Sequence, residues 1–172
     1  DQQSLWTLSC YGGGEIETPH IDTIAKDGVR FENFYTVSAV CTPSRGCFMT
    51  GLYPYKHGAY RNDVPMDRSV RTFAHIMSEN GYRTAYIGKW HLAGGERPGW
   101  LEPEQSMGFT DCSLMFNCSH HKSMKDCGQN KPVIESEAAV GDHISYTTDF
   151  LTEKALEKID QYRSEPFLLM LS

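Results

Sequence analysis

The apolar positions of this chain change period several times, and each change marks a boundary between elements. Ile21, Ile24 and Ala25 share one helical face, behind Thr18-Pro19, which supplies an N-cap and a proline at the first helical position. Gly28 suits the end of that helix. Val29 to Tyr35 then alternates apolar and polar residues, the period of a strand. A second helix is predicted from Pro43 to near Gly51. A third runs from about Thr72 to Asn80, with Phe73, Ile76 and Met77 inward and Gly81 as its stop. Tyr82 to Gly88 reads as a buried strand. The stretch 93–145 is rich in Gly, Pro, Cys, His and Lys with weak periodicity, which predicts a long excursion over the surface. A last helix, about Asp149 to Arg163, is expected to bury Leu151, Ala155, Leu156 and Ile159. Pro166 separates it from Phe167–Leu171, a fully apolar strand.

Helix followed by strand is the rhythm of an α/β domain. Residues 1–172 read as part of one such domain, with no internal repeat. Both ends read as cut: the chain opens on Asp1-Gln2-Gln3 with no strand before it and stops inside a core strand at Ser172.

Composition changes this picture little. A chain of 172 residues with 40% hydrophobic and 22% charged content is ordinary for a globular domain with a real core. No apolar run approaches the roughly 20 residues needed to span a bilayer. Residues 1–15 lack the basic start and apolar stretch of a signal peptide. A net charge of −6 argues against a general nucleic-acid binder, although a local cluster of Arg, Lys and His still suits a small anion. The six cysteines include no C-x-x-C pair, which removes thioredoxin-type and zinc-ribbon readings. Cys112, Cys118 and Cys127 suit either a disulfide or buried thiols. His120-His121 with Cys118 and Cys127 fits no standard zinc spacing. Asn117-Cys118-Ser119 is a formal glycosylation sequon, a pattern frequent by chance.

Two blocks carry chemistry. In Cys41-Thr42-Pro43-Ser44-Arg45, Pro43 suits the first turn of a helix, so Cys41 lies just before a helix N-terminus, where free N–H groups and the dipole favour an anion. Arg45 adds a planar charged fork one turn on. A phosphatase-type thiolate loop needs a longer Cys–Arg spacing. Taken alone, the block suits an anion-facing nucleophile and a small apolar cysteine equally. In Gly81 to His91, a strand presents Lys89 and His91 at alternate positions of its C-terminal end, where α/β sheets bind ligands. Lys89 there would neutralise an anion and His91 would relay a proton. In isolation the pair reads more readily as a solvated Lys and a surface His.

In order and spacing, the two blocks together resemble the signature motifs of the formylglycine-dependent sulfatases, within the alkaline-phosphatase-like superfamily. Cys10-Tyr11-Gly12, Thr18-Pro19-His20-Ile21-Asp22, Gly28-Val29-Arg30-Phe31, Thr50-Gly51-Leu52-Tyr53-Pro54 and Pro166-Phe167-Leu168 extend the resemblance over nearly the whole chain. It implies an alkaline-phosphatase-like mixed sheet flanked by helices. It also implies a sulfatase that cleaves a sulfate monoester through hydrated formylglycine made from Cys41 by a separate maturing enzyme. Arg45 would hold the formylglycine, Lys89 would contact sulfate and nucleophile, and His91 would partner the hydroxyl. One divalent cation, calcium, is implied, with Asp1, Gln2 and residue 41 as the ligands this chain offers. Gln2 departs from the family's paired aspartates, and the remaining ligands are expected downstream of Ser172. His57 matches a position that supports the site. Implied partners are a sulfated small molecule or glycan, and implied localisation is export. A phosphonate monoester or phosphodiester hydrolase of the same superfamily is the enzymatic alternative. An inactive fragment is the other.

Overall fold

The computed structural model describes residues 3–95, 101, 103–117, 123–125, 133–134 and 144–172. The chain divides into two compact units, Asp1–Thr36 and Val37–Ser172.

The first unit is organised by side-chain hydrogen bonds. Two short 3-10 turns, Leu5–Thr7 and Ser9–Tyr11, precede helix α1, Pro19–Asp27. Thr18 stands at the N-cap, but its hydroxyl donates to Asp22 Oδ1 at 3.0 Å rather than capping the helix. Asp22 also accepts the Cys10 N–H at 3.0 Å, which ties the turns to the first helical turn. The strand expected at Val29–Tyr35 does not form. Among the described residues this unit holds no strand to pair with it, so the alternating segment stays irregular, with Val29, Phe31, Phe34 and Tyr35 exposed.

The second unit is a three-stranded parallel sheet with helices on both faces. Strand β1, Arg83–Lys89, is central, with β2, Asp111–Phe116, on one side. Two further short strands, β3 (Ser123–Lys125) and β4 (Val133–Ile134), join β5 (Ile144–Tyr146) in a separate antiparallel ladder. Helix α5, Thr147–Tyr162, returns the chain to β6, Phe167–Leu171, which pairs with the other edge of β1. The expected α/β sheet flanked by helices is present, with its described strands parallel and the antiparallel pairs in a second ladder.

The period of two in β1 separates two cores. On one face Tyr86 packs with Trp90, Phe109, Met115, Met66 and Met49, and on the other Ile87 packs with Leu114, Phe116, Phe150, Leu151 and Ala155. Helix α2, Cys41–Thr50, and helix α4, Phe73–Glu79, lie against the first face. Between them runs α3, the single turn Pro54–His57.

Three expectations are corrected here. The stretch 93–145 is not wholly a surface excursion, because β2 lies within it and buries Leu114, Met115 and Phe116. In α5, Leu156 and Ile159 are exposed, and Phe150 and Tyr162 are buried instead. In α4, Ile76 is exposed and Ala74 is the buried residue, so the face turned to the core is offset from the expected one. No helix among the described residues is long and apolar enough to cross a membrane.

Candidate active site

Cys41 is the first residue of α2, two residues earlier than the proline rule predicts, with Val40 as the extended N-cap. Helix α2 is fixed at both ends. Gly51 closes it in a left-handed conformation and donates to Cys47 O at 2.8 Å. At the other end, Thr42 is buried, its hydroxyl donating to His91 O at 3.1 Å and its N–H to Asn62 Oδ1 at 3.2 Å. Residue 41 is thereby held between two loops before any ligand arrives.

The thiol of Cys41 lies 3.2 Å from His91 Nδ1 and 3.3 Å from Asn62 Oδ1. The expectation that His91 continues the extended backbone of β1 is not met: the strand ends at Lys89, and His91 has φ +60°. That left-handed residue turns the chain back, and the ring still reaches residue 41. His91 is 3% exposed, and its Nε2 is 3.7 Å from Asp63 Oδ1.

Arg45 is buried one turn into α2 and crosses to the end of β1. Its Nη1 donates to Lys89 O at 2.5 Å, to Tyr86 Oη at 3.0 Å and to Ser172 Oγ at 2.8 Å. The Tyr86 hydroxyl donates to the same Lys89 carbonyl at 2.5 Å. Burial pushes the Tyr86 phenol up, against the pull of the Arg45 charge, so it stays a neutral donor. Lys89 is itself buried at the strand end, and its N–H donates to Ser172 O at 3.1 Å. All four expected catalytic positions thus fall in one unit, at the C-terminal end of β1 and the start of α2.

His57 lies under this assembly, fully buried on α3. Its Nδ1 accepts the Ala59 N–H at 3.2 Å, and its Nε2 is 3.5 Å from Cys47 Sγ. Burial pushes the imidazole down, so it is neutral, as its role behind the helix requires. Gly46 gives it room: a Cβ there would stand 2.3 Å from the ring.

Thr42, Asn62, Asp63 and Tyr86 were not singled out in the sequence. Asn62-Asp63 carries only a turn signal, and Tyr86 reads simply as an apolar strand position. Asn117, the sequon residue, is buried and donates to Gly94 O at 2.7 Å while accepting from Ala93 N, so it is not an accessible glycan acceptor. Asp1, Gln2, Cys118, His120, His121 and Cys127 lie outside the described residues. Among the described residues no group of three or more His, Cys, Asp or Glu gathers to hold a metal. Calcium takes about six to eight oxygens. The described residues around Cys41 do not make such a site.

The sulfatase family model matches residues 1–172. A curated N-acetylglucosamine-6-O-sulfatase of Bacteroides thetaiotaomicron is 32% identical over 99% of this chain, which spans 28% of that relative's length. A solved structure bound to its substrate D-glucosamine-2-N,6-O-disulfate superposes with a TM-score of 0.69 at 29% identity, covering 99% of this chain and 32% of that one. The phosphonate monoester hydrolase of Agrobacterium radiobacter shares the fold, with a TM-score of 0.66 at 22% identity over all of this chain and 38% of its own.

Proposed function

The chain belongs to the sulfatase family, with its alkaline-phosphatase-like fold, and from that premise we propose that the protein hydrolyses a sulfate monoester, with residue 41 as the nucleophile after conversion to formylglycine. The observation that carries this is the 3.2 Å approach of Cys41 Sγ to His91 Nδ1, across fifty residues of sequence. As a hydrated formylglycine, residue 41 supplies two hydroxyls on one carbon, one to attack sulfur and displace the alcohol, the other to expel sulfate, which a serine lacks.

Cys41 Sγ stands where a hydroxyl of that residue would stand. His91 Nδ1 takes a proton from it, or returns one, over a distance that a hydroxyl shortens. Asn62 Oδ1, 3.3 Å from Cys41 Sγ, accepts from the other hydroxyl of the hydrate. Arg45 fixes α2 against the Lys89 carbonyl, so that residue 41 and the end of β1 keep one spacing. Lys89 supplies positive charge for sulfate, in surroundings dry enough for that charge to count. A divalent cation, with Asp1 and Gln2 among its ligands, and a formylglycine-generating enzyme complete the reading. A sulfated sugar is the proposed substrate class, supported by the relative named for 6-O-sulfated N-acetylglucosamine.

The full-length protein, produced with a maturing enzyme, is to be assayed on a sulfate monoester, a phosphodiester and a phosphonate monoester side by side. Fastest turnover of the sulfate ester is expected. Faster turnover of the diester or phosphonate would overturn the reading.

A further inference from the structure

Three residues from three segments line up at the nucleophile. Cys41 Sγ faces His91 Nδ1 at 3.2 Å, and the opposite ring nitrogen, Nε2, is 3.7 Å from Asp63 Oδ1. The imidazole is buried between them, while the Asp63 side chain is 46% exposed at the rim. Both loop residues have left-handed backbones, φ +60° at His91 and +67° at Asp63, and neither is glycine. For a histidine that conformation costs on the order of 1–3 kcal/mol, and such strain collects where function requires it. Aspartate tolerates it better, because its short side chain bonds locally. If turning the chain were the only demand, glycine would serve at both places. The first turn of α2 pins both loops, because Thr42 Oγ1 donates to the His91 carbonyl and Thr42 N–H donates to Asn62 Oδ1.

A neutral imidazole carries one N–H, and the group facing one nitrogen decides which nitrogen bears it. We propose that Asp63 is a positioning residue that orients His91, holding its N–H on Nε2 and so turning the Nδ1 lone pair to the hydroxyl of residue 41. At 3.7 Å the contact is at an ion-pair distance rather than a hydrogen bond. The carboxylate also balances the charge that His91 acquires when it takes the proton of residue 41. The role assigned to Asp63 is exerted through the ring, not on substrate. The kinetic side of this proposal rests on the sulfatase reading, and the orientation of the ring does not.

Asp63→Asn and Asp63→Gly, made in the full-length matured enzyme, test it. Both variants tolerate the left-handed backbone, and both lack the carboxylate. Each is expected to lower kcat on a sulfate monoester by about tenfold or more. KM should stay within about twofold, and the melting temperature of the asparagine variant checks that it still folds. In histidine-labelled protein, the ring nitrogen signals of His91, identified by their loss in His91→Gln, should report the Nε2–H form in the wild type and a different or mixed form in Asp63→Asn. An asparagine variant with kcat within about twofold of wild type, or a wild-type ring protonated on Nδ1 alone, would overturn the proposal. If the wild type hydrolyses no sulfate ester, the sulfatase reading fails instead, and the ring signals alone decide the role of Asp63.

Discussion

Glycine at position 46 is set by the ring of His57. A methyl group there would meet His57 Cε1 at 2.3 Å and both ring nitrogens within 2.8 Å. His57 cannot retreat, since it is fully buried and accepts the Ala59 N–H. Gly46→Ala should therefore push α2 away from α3 and destabilise the fold by about 1–3 kcal/mol, measured as a lower denaturant midpoint. Because α2 carries residue 41, turnover should fall with it. Tyr86→Phe isolates a polar effect in the same neighbourhood. The ring keeps its edge contacts with Trp90 and Phe109, at 5.3 and 5.1 Å. The Lys89 carbonyl and Arg45 each lose a buried partner. A loss of about 1–3 kcal/mol in denaturation is expected, with kcat falling more than KM rises. The sequence offered Cys41, Arg45, Lys89 and His91 as candidates because their spacing is a motif, and the fold brings them together. It did not reveal Tyr86, whose hydroxyl matters only once β1 and α2 are packed together.

Among the elements, α5 is held to the sheet by apolar packing and by an ionic cluster at the start of β2. Lys158 Nζ is 2.7 Å from Asp111 Oδ2, and the Tyr162 hydroxyl donates to the same oxygen at 2.6 Å. Burial alone would push the Asp111 carboxyl up, but hydrogen bonds from Lys158, Tyr162 and Ser113 outweigh it and hold the group well below the usual carboxylate range. With the folded pKa below the unfolded value of about 3.9, the stabilisation is present above that pH. It is lost as pH falls through the folded value. Asp111→Asn should cost about 1–3 kcal/mol at neutral pH, and its stability should fall less steeply than that of wild type below about pH 4. Urea denaturation across that range checks both.

The pairing of β1 with β6 has its own control point at Gly88. Its φ is +104°, and a Cβ there would stand 1.8 Å from the Ser172 carbonyl oxygen. Gly88→Ala should cost about 3 kcal/mol or more and displace the strand ends around Arg45. A lower melting temperature would register it. Helices α1, α2 and α4 and strands β1 and β6 were legible because caps, glycine stops and apolar runs mark them. Strand β2 was not, since Asp111-Cys112-Ser113-Leu114-Met115-Phe116 shows no alternation and lies in a loop-like composition. The outward turns of Leu156 and Ile159 were equally hidden, because a period of 3.6 defines a stripe but not how wide a surface covers it.

For the whole molecule, the net charge of −6 and a site that gathers Arg45, Lys89 and His91 are compatible, because local geometry rather than total charge receives an anion. This chain spans 28% of the length of the curated sulfatase named above and 32% of the solved structure. Within that span lie Cys41, His91 at 3.2 Å from its thiol, and Arg45, which ties helix to strand. All of these roles depend on the chemical identity of residue 41 in the mature protein. The direct measurement is the mass of the peptide containing residue 41, isolated from full-length protein produced together with a formylglycine-generating enzyme. Loss of the thiol, with gain of an aldehyde that a hydrazide captures, is the predicted result. An intact Cys41 thiol in that protein would contradict the account.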